Sequence, residues 1–149
     1  MSDHASPRVP YTRLAAEAFK GLLATSQAVH DSSIDPTLME LVFLRVSQLN
    51  GCGYCMDMHG TALRKDGIEP RKLDTLPAWH ESRFFDARER AALGWAEALT
   101  RLTDGAPSQA AFDALAPHFD EKGISDLSMG IAVINAWNRL GAGLLPPLP

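Results

Sequence analysis

Apolar residues recur three and four positions apart along almost the whole chain, and the breaks between these stretches carry helix caps rather than hairpin turns. Alternation of apolar and polar residues, which would indicate strands, is hard to find. The sequence therefore predicts an all-α fold. Because the chain has 149 residues, of which 46% are hydrophobic, it can bury one sizeable core, and we expect a single domain over residues 1–149.

Proline, glycine and capping residues set the expected helix boundaries. The first helix opens at Pro10 and carries Leu14, Ala18 and Leu22 on its apolar face. The stretch 71–85 is mixed and predicts a short helix or a loop. We expect the helices to span about 10–30, 36–49, 53–65, 87–102, 108–118 and 125–140.

The last helix has its own start and stop signals. Ser125 is a candidate N-cap, and Gly141 and Gly143 are expected to close the helix after Leu140. The final segment, 144–149, is too rich in proline to continue it.

Charge and cysteine content exclude several classes of function. There are 14 Lys and Arg against 18 Asp and Glu, so the net charge is −4 and nucleic acid and anionic membranes are not expected partners. No apolar run approaches the roughly 20 residues of a membrane helix, and the start lacks the apolar core of a secretory signal, so a cytoplasmic location is expected. The two cysteines lie close together, unlike those of a disulfide-stapled secreted scaffold.

Cys55 and His59 form the reactive pair that the spacing predicts. They are four residues apart, so on a helix their side chains share one face at hydrogen-bonding range. Cys55 also falls in the first turn of its helix, where free amide groups and the helix dipole favour a thiolate over a thiol. The imidazole can accept the thiol proton or stabilise the thiolate, which is the attacking species.

Glu40 and Cys52 complete the constellation. If the two helices fold back antiparallel about Asn50 and Gly51, Glu40 faces roughly position 61, next to His59. A carboxylate on the imidazole would fix its tautomer and raise its basicity. Cys52 lies one turn before Cys55 and could resolve a sulfenic acid into a disulfide. The arrangement predicts a dithiol that reduces peroxides or exchanges disulfides.

A metal site and a thioredoxin-like motif are the alternative interpretations of the cysteine pair. Cys52, Cys55 and His59 supply three zinc ligands, and Glu40 or Asp57 would have to be the fourth, so a closed site is not favoured. A thioredoxin dithiol follows a strand, whereas this pair follows an apolar helix. We therefore expect no bound metal or cofactor.

The tryptophans Trp79, Trp95 and Trp137 are expected in the core or in subunit contacts. The histidines outside the motif are expected at the surface, at positions 4, 30, 80 and 118.

The segment ELVFLRVSQLNGCGYCMDMH, from Glu40 to His59, resembles the AhpD-like alkylhydroperoxidase branch of the carboxymuconolactone decarboxylase family. That signature is a glutamate, eleven residues, C-x-x-C, three residues and a histidine, and this chain matches it without a gap. The stretches 89–99 and 126–140 also resemble short members of the family.

The resemblance implies an all-helical fold with a central helix pair carrying the C-x-x-C motif, assembled into homotrimers or homohexamers. It implies a peroxidase for organic hydroperoxides, with Cys55 as the peroxidatic cysteine, Cys52 as the resolving cysteine, and Glu40 with His59 as the proton relay. An external dithiol such as a lipoyl group on a partner protein would regenerate the dithiol, and a peroxiredoxin is a further expected partner.

Tyr54 marks a departure from the founding alkylhydroperoxidase, which has a histidine directly before its second cysteine. A tyrosine hydroxyl cannot deprotonate a thiol at neutral pH but can donate a proton to a peroxide oxygen, so Tyr54 is a candidate proton donor. The alternatives are a general disulfide oxidoreductase or redox sensor and, less favoured because it needs no dithiol, an enzyme of the decarboxylase type.

Overall fold

The computed structural model describes residues 6–145 and 148, and within these ranges it contains helices and no strand, which confirms the predicted all-α class. The α-helices are α1 (Tyr11–Leu14), α2 (Ala16–His30), α3 (Pro36–Asn50), α4 (Gly53–Lys65), α5 (Pro70–Asp74), α6 (Ala87–Thr100), α7 (Gln109–Asp113) and α8 (Glu121–Leu144). Short 3-10 turns lie at Leu76–Ala78 and Leu102–Asp104. None of the described helices is long and apolar enough to cross a membrane.

The hairpin of α3 and α4 is the centre of the molecule. Asp35 caps α3 by accepting a hydrogen bond from the Leu38 amide at 3.0 Å, and Pro36 takes the first helical position. Gly51 ends α3 with φ of 66°, a left-handed conformation that glycine adopts without steric cost. The chain therefore reverses at Asn50 and Gly51 as predicted, and α4 returns along α3.

Helix α3 is buried on most of its surface because α4, α6 and α8 all pack against it. One apolar cluster fills the space between α3, α6 and α8, and a second lies between α3, α4, the 3-10 turn and the start of α6. Fully buried side chains of these clusters include Val42, Val46, Leu63, Leu93 and Leu127. This packing fixes α3 and α4 between the remaining helices.

Helix α8 differs from its predicted bounds at both ends. It begins at Glu121, capped by Asp120, whose carboxylate accepts from the Gly123 amide at 2.7 Å; Ser125 lies inside the helix and its hydroxyl donates to the Glu121 carbonyl. Gly141 and Gly143 do not end the helix, which continues to Leu144. The first turn after Asp120 lacks apolar periodicity, so the periodicity of the sequence places the N-cap of α8 too late, at Ser125.

The N-terminal helix also differs from the prediction. It is interrupted at Ala15, and Leu14 and Ala18 are exposed rather than buried. Leu22 packs against the core as predicted, and Phe19 and Val29 rather than Leu14 and Ala18 share its face. Alanine fits either face, so the apolar periodicity alone chose the wrong register.

Two further predictions concern α6 and α7. Helix α6 begins at residue 87 as predicted, and Asp86 and Glu89 form a capping box there with both reciprocal hydrogen bonds present. Helix α7 is shorter than the predicted 108–118, since it spans Gln109–Asp113 and continues as turns. Pro117 accounts for the early end, because its ring clashes with the helical carbonyl four residues earlier, at Asp113.

Candidate active site

The two cysteines lie at the start of α4 and are joined as a disulfide. Cys52 is the N-cap residue, and its Sγ accepts a hydrogen bond from the Cys55 amide at 3.3 Å. Cys52 is completely buried and Cys55 is 3% exposed. Negative charge on either sulfur would be stabilised by the unpaired amides and the dipole of this helix terminus.

His59 and Glu40 meet across the α3–α4 hairpin, which confirms the predicted contact. Glu40 Oε2 lies 2.7 Å from His59 Nδ1, with the imidazole buried and the carboxylate partly exposed. Because a carboxylate accepts the hydrogen bond, the Nδ1 atom carries the proton in the neutral imidazole. The lone pair of the ring is then on Nε2, so this atom is the basic one.

His59 Nε2 is buried and has no hydrogen-bond partner among the described residues. A buried polar atom without a partner is uncommon and costly in a folded protein. The predicted hydrogen bond between His59 and Cys55 is therefore absent while Cys55 is in the disulfide. Nε2 remains free to accept a proton when a thiol or a substrate is next to it.

Cys55 and His59 open onto one apolar cavity of about 440 Å³. Helices α2, α3, α4 and α8 contribute to its walls, and Phe19, Phe43 and Trp137 give it an aromatic character. Cys52 does not line it. The dithiol therefore reaches this space through the sulfur of Cys55.

Tyr54 lines the same cavity from the first turn of α4 and is 48% exposed. It thus sits at the rim of the cavity rather than in the core. Its proximity to Cys55 is compatible with the candidate role as a proton donor. Asp57, the alternative metal ligand, is exposed, and no group of three or more potential metal ligands occurs within 6–145 and 148.

Gly141 is a site residue, although its place in the sequence predicts only helix termination. A Cβ atom at this position would lie 2.7 Å from Cys52 Sγ and 3.1 Å from Cys55 Sγ. The glycine lets α8 pass directly over the sulfur pair. A glycine inside an apolar helix that has another cap further on would have been the available signal.

Trp137 is partly buried against the core, as predicted, and it also lines the cavity. Its ring packs edge-to-face against Phe19 with centroids 5.9 Å apart, and its Nε1 donates to Ser26 at 2.7 Å. Trp79 is buried in the core, and Trp95 is partly buried against it. His30 and His80 are exposed as expected, His118 is half-buried, and His4 lies outside the described residues.

A polar network behind the cysteines fixes the turn that carries them. The Asn50 amide donates to Asn138 at 3.0 Å, Asn138 donates to Ser47 at 3.0 Å, and the Ser47 carbonyl accepts from the Cys52 amide at 3.1 Å. Ser47 and Asn138 are both buried, and their mutual hydrogen bond satisfies polar groups that water cannot reach. The start of α4 is thereby fixed against both α3 and α8.

The fold and site define an all-helical protein with a buried C-x-x-C disulfide and an adjacent carboxylate–histidine pair. Residues 16–98 match the model of the carboxymuconolactone decarboxylase family, and the chain belongs to that family.

Three proteins illustrate the similarity. The structure of ATU0492 from Agrobacterium tumefaciens is 35% identical, with a TM-score of 0.88 over 96% of this chain and 99% of that one. ATU0492 is a protein of unknown function with a provisional assignment as an antioxidant defence protein of the AhpD type. The alkyl hydroperoxide reductase AhpD of Maricaulis maris is 37% identical over 65 residues, which cover 44% of this chain and 34% of that protein. The debrominase Bmp8 is 25% identical, with a TM-score of 0.73 over 85% of this chain and 67% of its own. The AhpD-like fold predicted from the sequence is confirmed.

Proposed function

We propose that this chain is a thiol-dependent peroxidase that reduces organic hydroperoxides through a dithiol–disulfide cycle of Cys52 and Cys55. One observation carries the proposal: Cys55 and His59 line the same apolar cavity, and the buried His59 Nε2 has no hydrogen-bond partner among the described residues. A nucleophile and a base thus lie together in the wall of one substrate-sized space. The similarity to proteins of the AhpD type supports the same chemistry.

In the first step His59 Nε2 takes the proton of the Cys55 thiol, and Glu40 stabilises the imidazolium through Nδ1. The thiolate attacks the terminal oxygen of R–OOH. The O–O bond breaks, the sulfur becomes a sulfenic acid, and the alkoxide takes a proton to leave as R–OH. The imidazolium or the hydroxyl of Tyr54 supplies that proton.

In the second step the Cys52 thiol attacks the Cys55 sulfenic acid and releases water, which gives the disulfide. Both sulfurs lie at the N-terminus of α4, and they are already within bonding distance there. An external dithiol then reduces the disulfide by two electrons and is itself oxidised to a disulfide. One hydroperoxide and one dithiol are consumed in each cycle.

We propose that the reductant is a slender dithiol, such as a lipoyl group presented by a partner protein. Both sulfurs are buried, so a reductant has to enter through the cavity and attack Cys55 first. We further propose that the protein is cytoplasmic and forms a homotrimer or homohexamer without a bound cofactor. A peroxiredoxin is proposed as a further partner.

Trapping the sulfenic acid tests the two cysteine roles. Cys52→Ser should accumulate a sulfenate at Cys55 after addition of cumene hydroperoxide, detected by dimedone labelling and mass spectrometry. Cys55→Ser should give no label at Cys52, because Cys52 does not line the cavity. A dimedone adduct at Cys52 and none at Cys55 would reverse the assignment.

Glu40→Gln tests the proton relay. It keeps a hydrogen-bonding side chain against Nδ1 but removes the charge that stabilises the imidazolium. General acid–base catalysis typically contributes about 10²–10⁴-fold, and we expect at least a ~10-fold lower rate of peroxide-driven disulfide formation. Glu17→Gln is the matched control, because Glu17 is exposed on α2 and pairs with Lys20 at the surface, away from the cavity lining. Equal rates for the two variants would remove Glu40 from the mechanism.

Reductive debromination is a second candidate function because the similar protein Bmp8 is a debrominase. The same dithiol could supply the two electrons that replace C–Br by C–H, with release of bromide and formation of the disulfide. Bromide release from a brominated aromatic compound, without consumption of hydroperoxide, would favour this function. Decarboxylation is less compatible with the site, since no Lys or Arg among the described lining residues could pair with a substrate carboxylate.

A further inference from the structure

The cavity over Cys55 is lined by more aromatic rings than the proposed chemistry requires. Five of its described lining residues are aromatic: Tyr11, Phe19, Phe43, Tyr54 and Trp137. The reaction with a hydroperoxide uses only the sulfur, the imidazole and a proton donor. The remaining rings therefore bear on which substrate is accepted.

Three of these rings form a continuous edge-to-face array. The Tyr11 and Phe19 centroids are 6.0 Å apart at 84°, and the Phe19 and Trp137 centroids are 5.9 Å apart at 83°. The array extends from the N-terminal helices across to α8. Such arrangements leave ring faces and edges open to a further ring, which adds favourable contacts beyond simple apolar burial.

The floor and the rim of the cavity differ. The floor contains the buried residues Cys55, His59 and Gly141, whereas Leu23 and Met58 at the rim are nearly half exposed. A substrate with its peroxide on the floor has to place its organic group among the rings. No Asp, Glu, Lys or Arg is present among the described lining residues.

The polar side chains of the wall are the hydroxyls of Tyr11, Ser26 and Tyr54 and the imidazole of His59, so the described lining holds no permanently charged group. The hydroxyl of Ser26 is already engaged, since it accepts from Trp137 and donates to the Leu22 carbonyl at 3.0 Å. A carboxylate buried here would lose its hydration without gaining a Lys or Arg partner, which is unfavourable. The net charge of −4 also opposes the approach of anions.

From these observations we infer that the cavity selects uncharged aromatic hydroperoxides, and that Phe19 and Trp137 of the aromatic array determine this specificity. That the substrates are hydroperoxides rests on the proposed peroxidase function. The preference for uncharged aromatic ligands does not depend on turnover. The cavity volume of about 440 Å³ lies within the range of small-molecule sites, so a phenyl ring with a branched alkyl hydroperoxide group fits.

Binding of the product alcohols to the disulfide form tests the preference without catalysis. We would measure by calorimetry the binding of 2-phenylpropan-2-ol and of its para-carboxylate derivative. The neutral alcohol should bind at least ~10-fold more tightly, because the carboxylate is desolvated without a partner. A smaller difference, or tighter binding of the carboxylate, would overturn the inference.

Phe19→Leu tests the aromatic contribution because it keeps an apolar side chain and removes the ring. We expect binding of 2-phenylpropan-2-ol to weaken about three- to tenfold, as for the loss of one aromatic pair. Phe112→Leu is the matched control, since Phe112 also packs edge-to-face on a tryptophan, Trp95, but does not line the cavity. Equal affinities for the two variants would remove Phe19 from the specificity site.

The NMR chemical shift of the Trp137 indole N–H locates the ligand, because it should change when the alcohol binds. An unchanged Trp137 shift at saturation would place the ligand elsewhere and overturn the inference. The two proposals fail separately. Selective binding of the neutral alcohol without peroxide turnover would refute the peroxidase and retain the aromatic site. Turnover of hydroperoxides without the binding preference would refute the aromatic site and retain the peroxidase.

Discussion

A single methyl group added at Gly141 should destabilise the disulfide form of the protein. The Cβ atom of Gly141→Ala would lie 2.7 Å from Cys52 Sγ and 3.1 Å from Cys55 Sγ. Neither sulfur can turn away easily, because they are bonded to each other in the first turn of α4. The clash therefore has to be relieved by moving α8 relative to α4.

Two opposing terms set the magnitude. Replacing glycine by alanine inside a helix favours folding by about 1 kcal/mol. Overpacking a close-packed site costs about 1–3 kcal/mol. Gly21→Ala isolates the first term, because Gly21 lies in the middle of α2 and a Cβ there would meet nothing within 4 Å. The free energy of unfolding of Gly141→Ala should thus lie about 1–3 kcal/mol below that of Gly21→Ala.

Urea denaturation followed by far-ultraviolet circular dichroism measures this difference, with no reductant present and with the disulfide confirmed by thiol counting. The slopes of the free energy against urea should agree between the variants, so that the midpoints report stability alone. Equal stabilisation by the two substitutions would refute the close approach of α8 to the sulfur pair.

Three further predictions address the core, the surface and the rim of the cavity. Glu97→Leu should lower the free energy of unfolding by about 3–5 kcal/mol in a urea titration, because it removes the carboxylate that accepts from the buried Arg45 Nε at 2.8 Å. A loss below ~1 kcal/mol would contradict this ion-pair contribution. Hydrogen bonds from Lys122 and Ser33 lower the pKa of Asp126 from 3.8 to about 2, so its stabilisation is present above pH 3.8 and is lost as the pH falls towards 2. The stability difference between wild type and Asp126→Asn should shrink over that interval, and a difference that is independent of pH would refute the linkage. Tyr54→His should raise the rate of hydroperoxide turnover because it restores a second base beside Cys55, and a lower rate would argue against a base being missing.

The centre of the site was predictable because it depends on local features. Gly51 ends α3 in a left-handed conformation that permits a short reversal, and once α4 packs back along α3 the helix repeat places Glu40 beside His59. The spacing of the cysteines sets them one turn apart at a helix N-terminus. These relations extend over twenty residues and need no information about the rest of the chain.

The surroundings of the site were not predictable because they depend on how distant helices pack. Gly141 lies some ninety positions from Cys52, and its role over the sulfurs follows from the crossing of α8 and α4. Phe19 and Trp137 likewise form a wall of the cavity only once α2 is placed against α8. Periodicity gives each helix an apolar face but does not say which neighbour that face meets.

Counting free thiols in the reduced protein tests the central claim most directly. The count is made in metal-free buffer, before and after addition of one equivalent of cumene hydroperoxide, and again after dihydrolipoamide. The proposed cycle predicts that both thiols of each chain are lost together and that the dithiol restores both. If both thiols persist in the presence of the hydroperoxide, the Cys52–Cys55 pair does not reduce peroxides and the proposed function is wrong.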